Sequence, residues 1–179
     1  MKENKKKIDE ILRVNHAGEY GAQIIYNSQI RFSKNNSLKK ELKRISSEEK
    51  VHLEYFQQQI LSNRTRPTIM QPLWKVGGTA LGFVSSLLGE KYVHACTEAI
   101  ESTIVDHYQE QVKYLKKRNV RSDLRKNIMK FCDEENKHKL SSQKKNKNKK
   151  GTIILKKITK NIKKLAIKIK KNMYFGHKL

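Results

Sequence analysis

The chain is poor in the residues that staple, break or span. Its 179 residues include two cysteines, Cys96 and Cys132, and no Cys-x-x-Cys pair. That excludes a disulfide scaffold and leaves reduced thiols at small core positions in a cytosolic compartment. Two prolines, Pro67 and Pro72, fall close together between long periodic stretches. Helix breaks are therefore rare elsewhere, and an all-helical fold is expected. The longest weakly charged run, 72–89, is shorter than the ~20 residues needed to cross a bilayer as a helix. The start, Met-Lys-Glu-Asn-Lys-Lys-Lys, has neither the apolar stretch of a signal peptide nor the composition of a transit sequence, so a cytoplasmic location is expected.

Acidic residues are also scarce, 17 against 40 basic, for a formal charge of +23. A basic balance of that size is the electrostatic footprint of nucleic-acid binding. The excess is lysine, 32 against eight arginines, it comes with abundant Ile and Asn, and no nucleic-acid motif accompanies it. The charge is better matched to anionic lipid, which attracts basic segments by about 1 kcal/mol per Lys or Arg close to the surface.

A hydrophobic content of 36% and this length fit one helical domain over 1–179, with its core at about 8–145 and a basic segment over 146–179. Periodicity predicts helices at about 8–33, 37–62, 73–88, 90–118, 121–145 and 152–173. Two of them suit a membrane surface. Segment 72–89 can enter one leaflet, with a buried core helix as the alternative. In 152–173, Ile154, Ile158, Ile162, Leu165, Ile169 and Met173 recur at steps of three or four among lysines. That is the pattern of a basic amphipathic helix lying in an interface, with one more bundle helix as the alternative.

What the chain does have is a doubled constellation: Glu19 followed by Glu49-Lys-Val-His52, then Glu101 followed by Glu135-Asn-Lys-His138. Positions i and i+3 lie about 60° apart on a helix, so both side chains of each Glu-x-x-His can reach one ion. On four helices, four carboxylates and two imidazoles projecting into one core form the ligand set of a di-iron or di-manganese centre in a ferritin-like bundle. Four negative charges balance two divalent cations, whereas four metal-free carboxylates in an apolar core would repel one another or take up protons. Tyr26 and Tyr108 each follow their glutamate by seven residues, about two turns. They are read as donors to the carboxylates or pocket walls, with core packing as the alternative.

Several segments together resemble a known family. They are Arg13-Val-Asn-His-Ala-Gly-Glu19-Tyr-Gly-Ala, Glu49-Lys-Val-His52, Arg66-Pro-Thr with Pro72-Leu-Trp, Leu87-Leu-Gly, Ala95-Cys-Thr-Glu-Ala-Ile-Glu101, His107-Tyr108 and Asp133-Glu-Glu-Asn-Lys-His138. In this order, from about residue 9 to 140, they look like the demethoxyubiquinol hydroxylases of ubiquinone biosynthesis. Asn15 stands where that pattern has an aspartate, a near-isosteric change.

The resemblance implies a ferritin-like four-helix bundle with an inserted apolar interfacial helix and a C-terminal basic amphipathic helix. It implies a membrane-associated monooxygenase that uses O2 and two iron ions per chain to hydroxylate the ring of a polyprenylated quinol, on the cytoplasmic side of the inner membrane. Carried over, the iron ligands are Glu19, Glu49, His52, Glu101, Glu135 and His138. His107 is a candidate for orienting neighbouring groups or for proton and electron transfer, His16 is expected to be structural or exposed, and Gly18 and Gly21 are candidates for close helix packing or ligand approach. Partner proteins of the pathway and a homo-oligomer are left open. The rival is a ferritin-like iron-oxidising or iron-handling protein, which segment 72–89 argues against.

Overall fold

The protein was analysed as a computed structural model, which describes residues 2–146 and positions 151, 153, 154 and 157. Among the described residues, five long helices run α1 (Lys2–Phe32), α2 (Asn36–Ser62), α3 (Gln71–Leu88), α4 (Glu90–Arg118) and α5 (Ser122–Lys145). Among the described residues there is no strand. The sixth expected helix, 152–173, lies outside the described residues except at Ile153, Ile154 and Lys157, which are helical and exposed.

Helix α2 buries Leu38, Leu42, Ile45, Glu49, His52, Phe56 and Ile60 at steps of three or four, the spacing that makes one continuous inward stripe. Its first turn is capped by Asn35, whose side-chain oxygen accepts from the backbone N–H groups of Ser37 and Leu38 at 2.9 and 3.2 Å. Helix α1 begins at Lys2, six residues before the expected start. Its first turns are lysine-rich, good helix formers with little apolar periodicity to reveal them. The left-handed residues Asn119 (φ 50°) and Arg121 (φ 48°) turn the chain between α4 and α5.

Helices α1 and α2 pack as one hairpin and α4 and α5 as another, with α3 laid across α1 and touching α4. Residues 93–101, at the start of α4, are buried on every side. The shared core includes Leu12, Tyr26, Leu42, Phe56, Tyr108 and Ile128.

Helix α3 is not a core helix. The residues it buries are Gly78, Gly82 and Ser85, and it is held to α1 by polar bonds. Ser28 donates to the Thr79 carbonyl at 2.8 Å and Gln29 donates to Ser85 Oγ at 3.0 Å. With small residues inside, most of its large ones point out: Leu73, Val76, Phe83, Val84, Leu87 and Leu88 are exposed, while Leu81 packs against the core and Phe83 meets Phe32 of α1 edge-on. Among the described residues no helix is long and apolar enough to cross a membrane.

The glycines flanking Glu19 do not have the packing role expected of them. A methyl group on Gly18 or Gly21 would meet nothing within 4 Å. The close approach is at Gly82, where a Cβ would lie 2.6 Å from the Ile25 carbonyl oxygen.

Candidate metal centre

Glu19 comes from α1, Glu49 and His52 from α2, Glu101 from α4, and Glu135 and His138 from α5. All six are buried, the four glutamates at 0% exposure. They form two overlapping groups, Glu19–Glu49–His52–Glu135 and Glu49–Glu101–Glu135–His138, and within each group one ligand atom per residue lies within 4.8 Å of the others. Glu49 and Glu135 are common to both. The carboxylates that bridge the two halves are thus those of the Glu-x-x-His pairs, and Glu19 and Glu101 sit at the two ends.

The contacts between the halves are crossed. Tyr26, on the helix of Glu19, donates to Glu101, and Tyr108, on the helix of Glu101, donates to Glu19. His52 Nδ1 lies 2.9 Å from Glu135 Oε1, and His138 Nδ1 lies 2.9 Å from Glu49 Oε1. The spacing of seven placed each tyrosine on the face of its own glutamate, but it served the glutamate across the core. Both hydroxyls keep their protons, because burial and then the facing carboxylate charge, that of Glu101 for Tyr26 and of Glu19 for Tyr108, push their pKa values well up.

Sequence reasoning missed Glu48 and Glu134. Each holds the outward nitrogen of the opposite histidine, Glu134 at 2.9 Å from His52 Nε2 and Glu48 at 2.6 Å from His138 Nε2. As they stand, both histidines also donate from Nδ1 to the cluster carboxylates; with Nε2–H held outward, loss of the Nδ1 proton would leave that nitrogen's lone pair facing the cluster, as a metal-ligating imidazole requires. The signal was present: both copies read Glu-Glu-x-x-His, and the doubled glutamate repeats with the rest.

A second feature, at Asn15, is more than an isosteric change. Asn15 Nδ2 donates to Gln111 Oε1 at 2.9 Å and Gln111 Nε2 donates back to Asn15 Oδ1 at 2.7 Å, joining α1 to α4 by a buried amide pair. An aspartate could supply only the acceptor half. His107 is half-buried beside Tyr108 and belongs to neither group. His16 is buried, stacks against Tyr20, and is kept neutral by desolvation. Cys96 and Cys132 are free thiols, and burial pushes Cys96 up to about 12.

The electrostatics are those of a site short of positive charge. Burial, then the Glu49 carboxylate, raises Glu101 to about 7 and raises Glu19 further. Burial and the Glu101 charge likewise raise Glu135. Burial also works against Glu49, but hydrogen bonds from His138 and His52 outweigh it and hold Glu49 down to about 2. Desolvation works against the charged form of His138, but the bond and charge of Glu49, with the Glu101 charge and the bond to Glu48, together raise it to about 9. One oxygen of each of Glu19, Glu49, Glu101 and Glu135, Oε2 in every case, is buried with no hydrogen-bond partner. Four such oxygens in one buried cluster are costly without a cation. The donor set of carboxylate oxygens and imidazole nitrogens suits iron, manganese or zinc.

Fold and site thus define a class: an all-helical bundle protein whose buried, two-fold repeated carboxylate–histidine cluster can hold metal. Residues 6–170 match the model of the family described as ubiquinone biosynthesis protein COQ7. The chain belongs to that family. It is 39% identical over 137 residues to the rat (Rattus norvegicus) NADPH-dependent 3-demethoxyubiquinone 3-hydroxylase, mitochondrial, covering 75% of this chain and 63% of that protein. It is 45% identical over 108 residues to the 3-demethoxyubiquinol 3-hydroxylase of Rhodospirillum rubrum, covering 58% and 50%. With the 5-demethoxyubiquinone hydroxylase of Saccharomyces cerevisiae, also a mitochondrial protein by name, it shares 38% over 110 residues, covering 60% and 47%. The chain spans less than two thirds of the length of these relatives.

Proposed function

We propose that this protein is a di-iron monooxygenase that hydroxylates the ring of a polyprenylated demethoxyubiquinol in ubiquinone biosynthesis, using O2. The observation that carries the reading is the pair of buried groups sharing Glu49 and Glu135, each carboxylate with an unpartnered oxygen. Glu19, Glu49, His52, Glu101, Glu135 and His138 would hold two irons in a ferritin-like four-helix bundle, residues 1–179 forming one domain. Bound iron would supply the activation of dioxygen. The chain's own groups do the rest. Tyr26 and Tyr108 orient the end carboxylates Glu101 and Glu19 and hold their protons, while Glu134 and Glu48 fix the histidine tautomers. His107 is assigned an orienting or proton-transfer role beside Tyr108.

The substrate's isoprenoid tail keeps it in a bilayer, so the enzyme must come to the membrane. The outward apolar residues of α3 support a peripheral, one-leaflet docking surface there, and the basic segment beyond residue 146 would add attraction to anionic lipid on the cytoplasmic side.

The test is aerobic turnover of a short-tail demethoxyubiquinol by iron-loaded protein and by Glu101→Ala, with iron counted in both. Hydroxylated product from the wild type, with iron and product lost together in the variant, supports the reading. Stoichiometric iron and rapid ferrous oxidation without product would replace it with iron handling.

A further inference from the structure

The two halves repeat more than the cluster. The register that carries Glu19 onto Glu101 also carries Gln23 onto Val105, and the register that carries Glu49 onto Glu135 carries Ser46 onto Cys132. In each half these two positions face each other, but the chemistry differs. In the second half Cys132 Sγ lies 4.0 Å from the Val105 carbonyl oxygen. In the first half Gln23 Nε2 donates to the Ser46 carbonyl at 2.5 Å, and Ser46 Oγ donates to Gln23 Oε1 at 3.2 Å. The repeat is broken here from apolar to hydrogen-bonding.

That polar layer lines a shallow, open groove of about 620 Å³ between α1 and α2. Tyr20, Ile24 and Leu53 give it apolar walls. Ile24 also packs on Gly78 of α3, so one wall of the groove touches the helix whose apolar residues face outward. Gln23 is four residues from Glu19 and Ser46 three from Glu49. Along the helix axes Gln23 is therefore roughly 6 Å from Glu19, and Ser46 roughly 4.5 Å from Glu49.

We propose that this groove admits the prenylated quinol, its tail entering from the α3 side, and that Gln23 is the specificity residue that meets a ring oxygen. The inference rests on the function proposed above. An amide is suited to the task because, beyond the N–H and lone pair it gives to Ser46, it keeps a second N–H for a ring carbonyl and a second lone pair for a ring hydroxyl. The apolar walls and their continuity with α3 favour a lipid-tethered ring over a nucleotide phosphate drawn to Lys43 and Lys50, which also line the groove.

The experiment is photolabelling of the iron-loaded full chain with a short-prenyl demethoxyubiquinone carrying a tail diazirine, followed by peptide mapping, alongside turnover. Labels are expected within 20–30 and 43–53, competed by unlabelled quinone and reduced about tenfold by Asn27→Trp, which places a large ring in the groove at an exposed position. Gln23→Val, which copies the other half, is expected to raise KM about tenfold through the lost hydrogen bond, with iron content unchanged. Labels elsewhere, an unaltered KM in Gln23→Val, or competition by NADPH but not by quinone would overturn the proposal. Groove labelling without product would leave the groove standing and sink the hydroxylase reading. Product without groove labelling would do the reverse.

Discussion

Replacing Gly82 with alanine should pry α3 from α1. The new Cβ would lie 2.6 Å from the Ile25 carbonyl oxygen and 2.6 Å from Ser28 Cβ, where carbon contacts settle at about 3.5–4 Å, so the helices must part by about 1 Å. The first obstacle is backbone and cannot rotate away. Parting would also stretch the bonds from Ser28 to Thr79 and from Gln29 to Ser85, now 2.8 and 3.0 Å. Overpacking costs about 1–3 kcal/mol and each weakened bond about 0.5–1.5, against about 1 regained from alanine's helix propensity. A net loss of about 2–3 kcal/mol corresponds to a Tm about 4–12 °C lower for a chain of this size. Gly77 is the control, since a Cβ there meets nothing within 4 Å; Gly77→Ala should hold or raise Tm. The assay is far-UV circular dichroism melting of both variants without metal at one pH. A Gly82→Ala protein melting at or above wild type would refute the packing account.

Removing the Tyr108 hydroxyl with phenylalanine leaves Glu19 without its hydrogen-bond donor in the core; iron affinity should fall about 10–100-fold while the helical spectrum stays unchanged, read by competition with a calibrated chelator. Glu134→Ala should weaken iron binding by a similar factor through His52, whereas Glu54→Ala, an exposed neighbour on α2, should not. Without metal, Glu101 (about 7) and His138 (about 9) bind protons more tightly folded than unfolded. Their stabilisation is complete below the ordinary values of each group and is lost as pH rises through about 7 and about 9. Glu49, held near 2, adds a constant contribution across that window. Metal-free stability should therefore fall from pH 5 to 9 while metal affinity rises, with protons released on binding. Denaturant melts across that range and calorimetry in two buffers of different ionisation enthalpy check both signs. Cys96, pushed up to about 12, should resist a thiol reagent until unfolding, and half-buried Cys132 should react first.

How much of this was legible in the sequence depends on where each signal lies. Glu49 with His52, and Glu135 with His138, are fixed by spacing along one helix, which local periodicity reports directly. Which carboxylate Tyr26 reaches is a property of how two helices face each other, and a single helix carries no record of it. Glu48 and Glu134 were readable as a repeated doublet, but a surface glutamate is the ordinary neighbour of a buried one. The inward face of α3 escaped because Gly78, Gly82 and Ser85 carry no hydrophobic signal, while its outward leucines and valines do. Glycine itself does not say which position a neighbouring backbone approaches, so Gly18 and Gly21 drew the attention that belonged to Gly82.

The crossed contacts give the protein a built-in proofreading of its own assembly. Tyr26, Tyr108, His52 and His138 are each completed by a glutamate from the opposite hairpin, and both groups that could hold metal draw on both hairpins. A lone α1–α2 or α4–α5 hairpin, as it leaves the ribosome or survives a nick, presents one carboxylate pair and one imidazole with nothing to complete them. Tight loading of such a site would therefore wait for the whole bundle, and its occupancy would report on global folding.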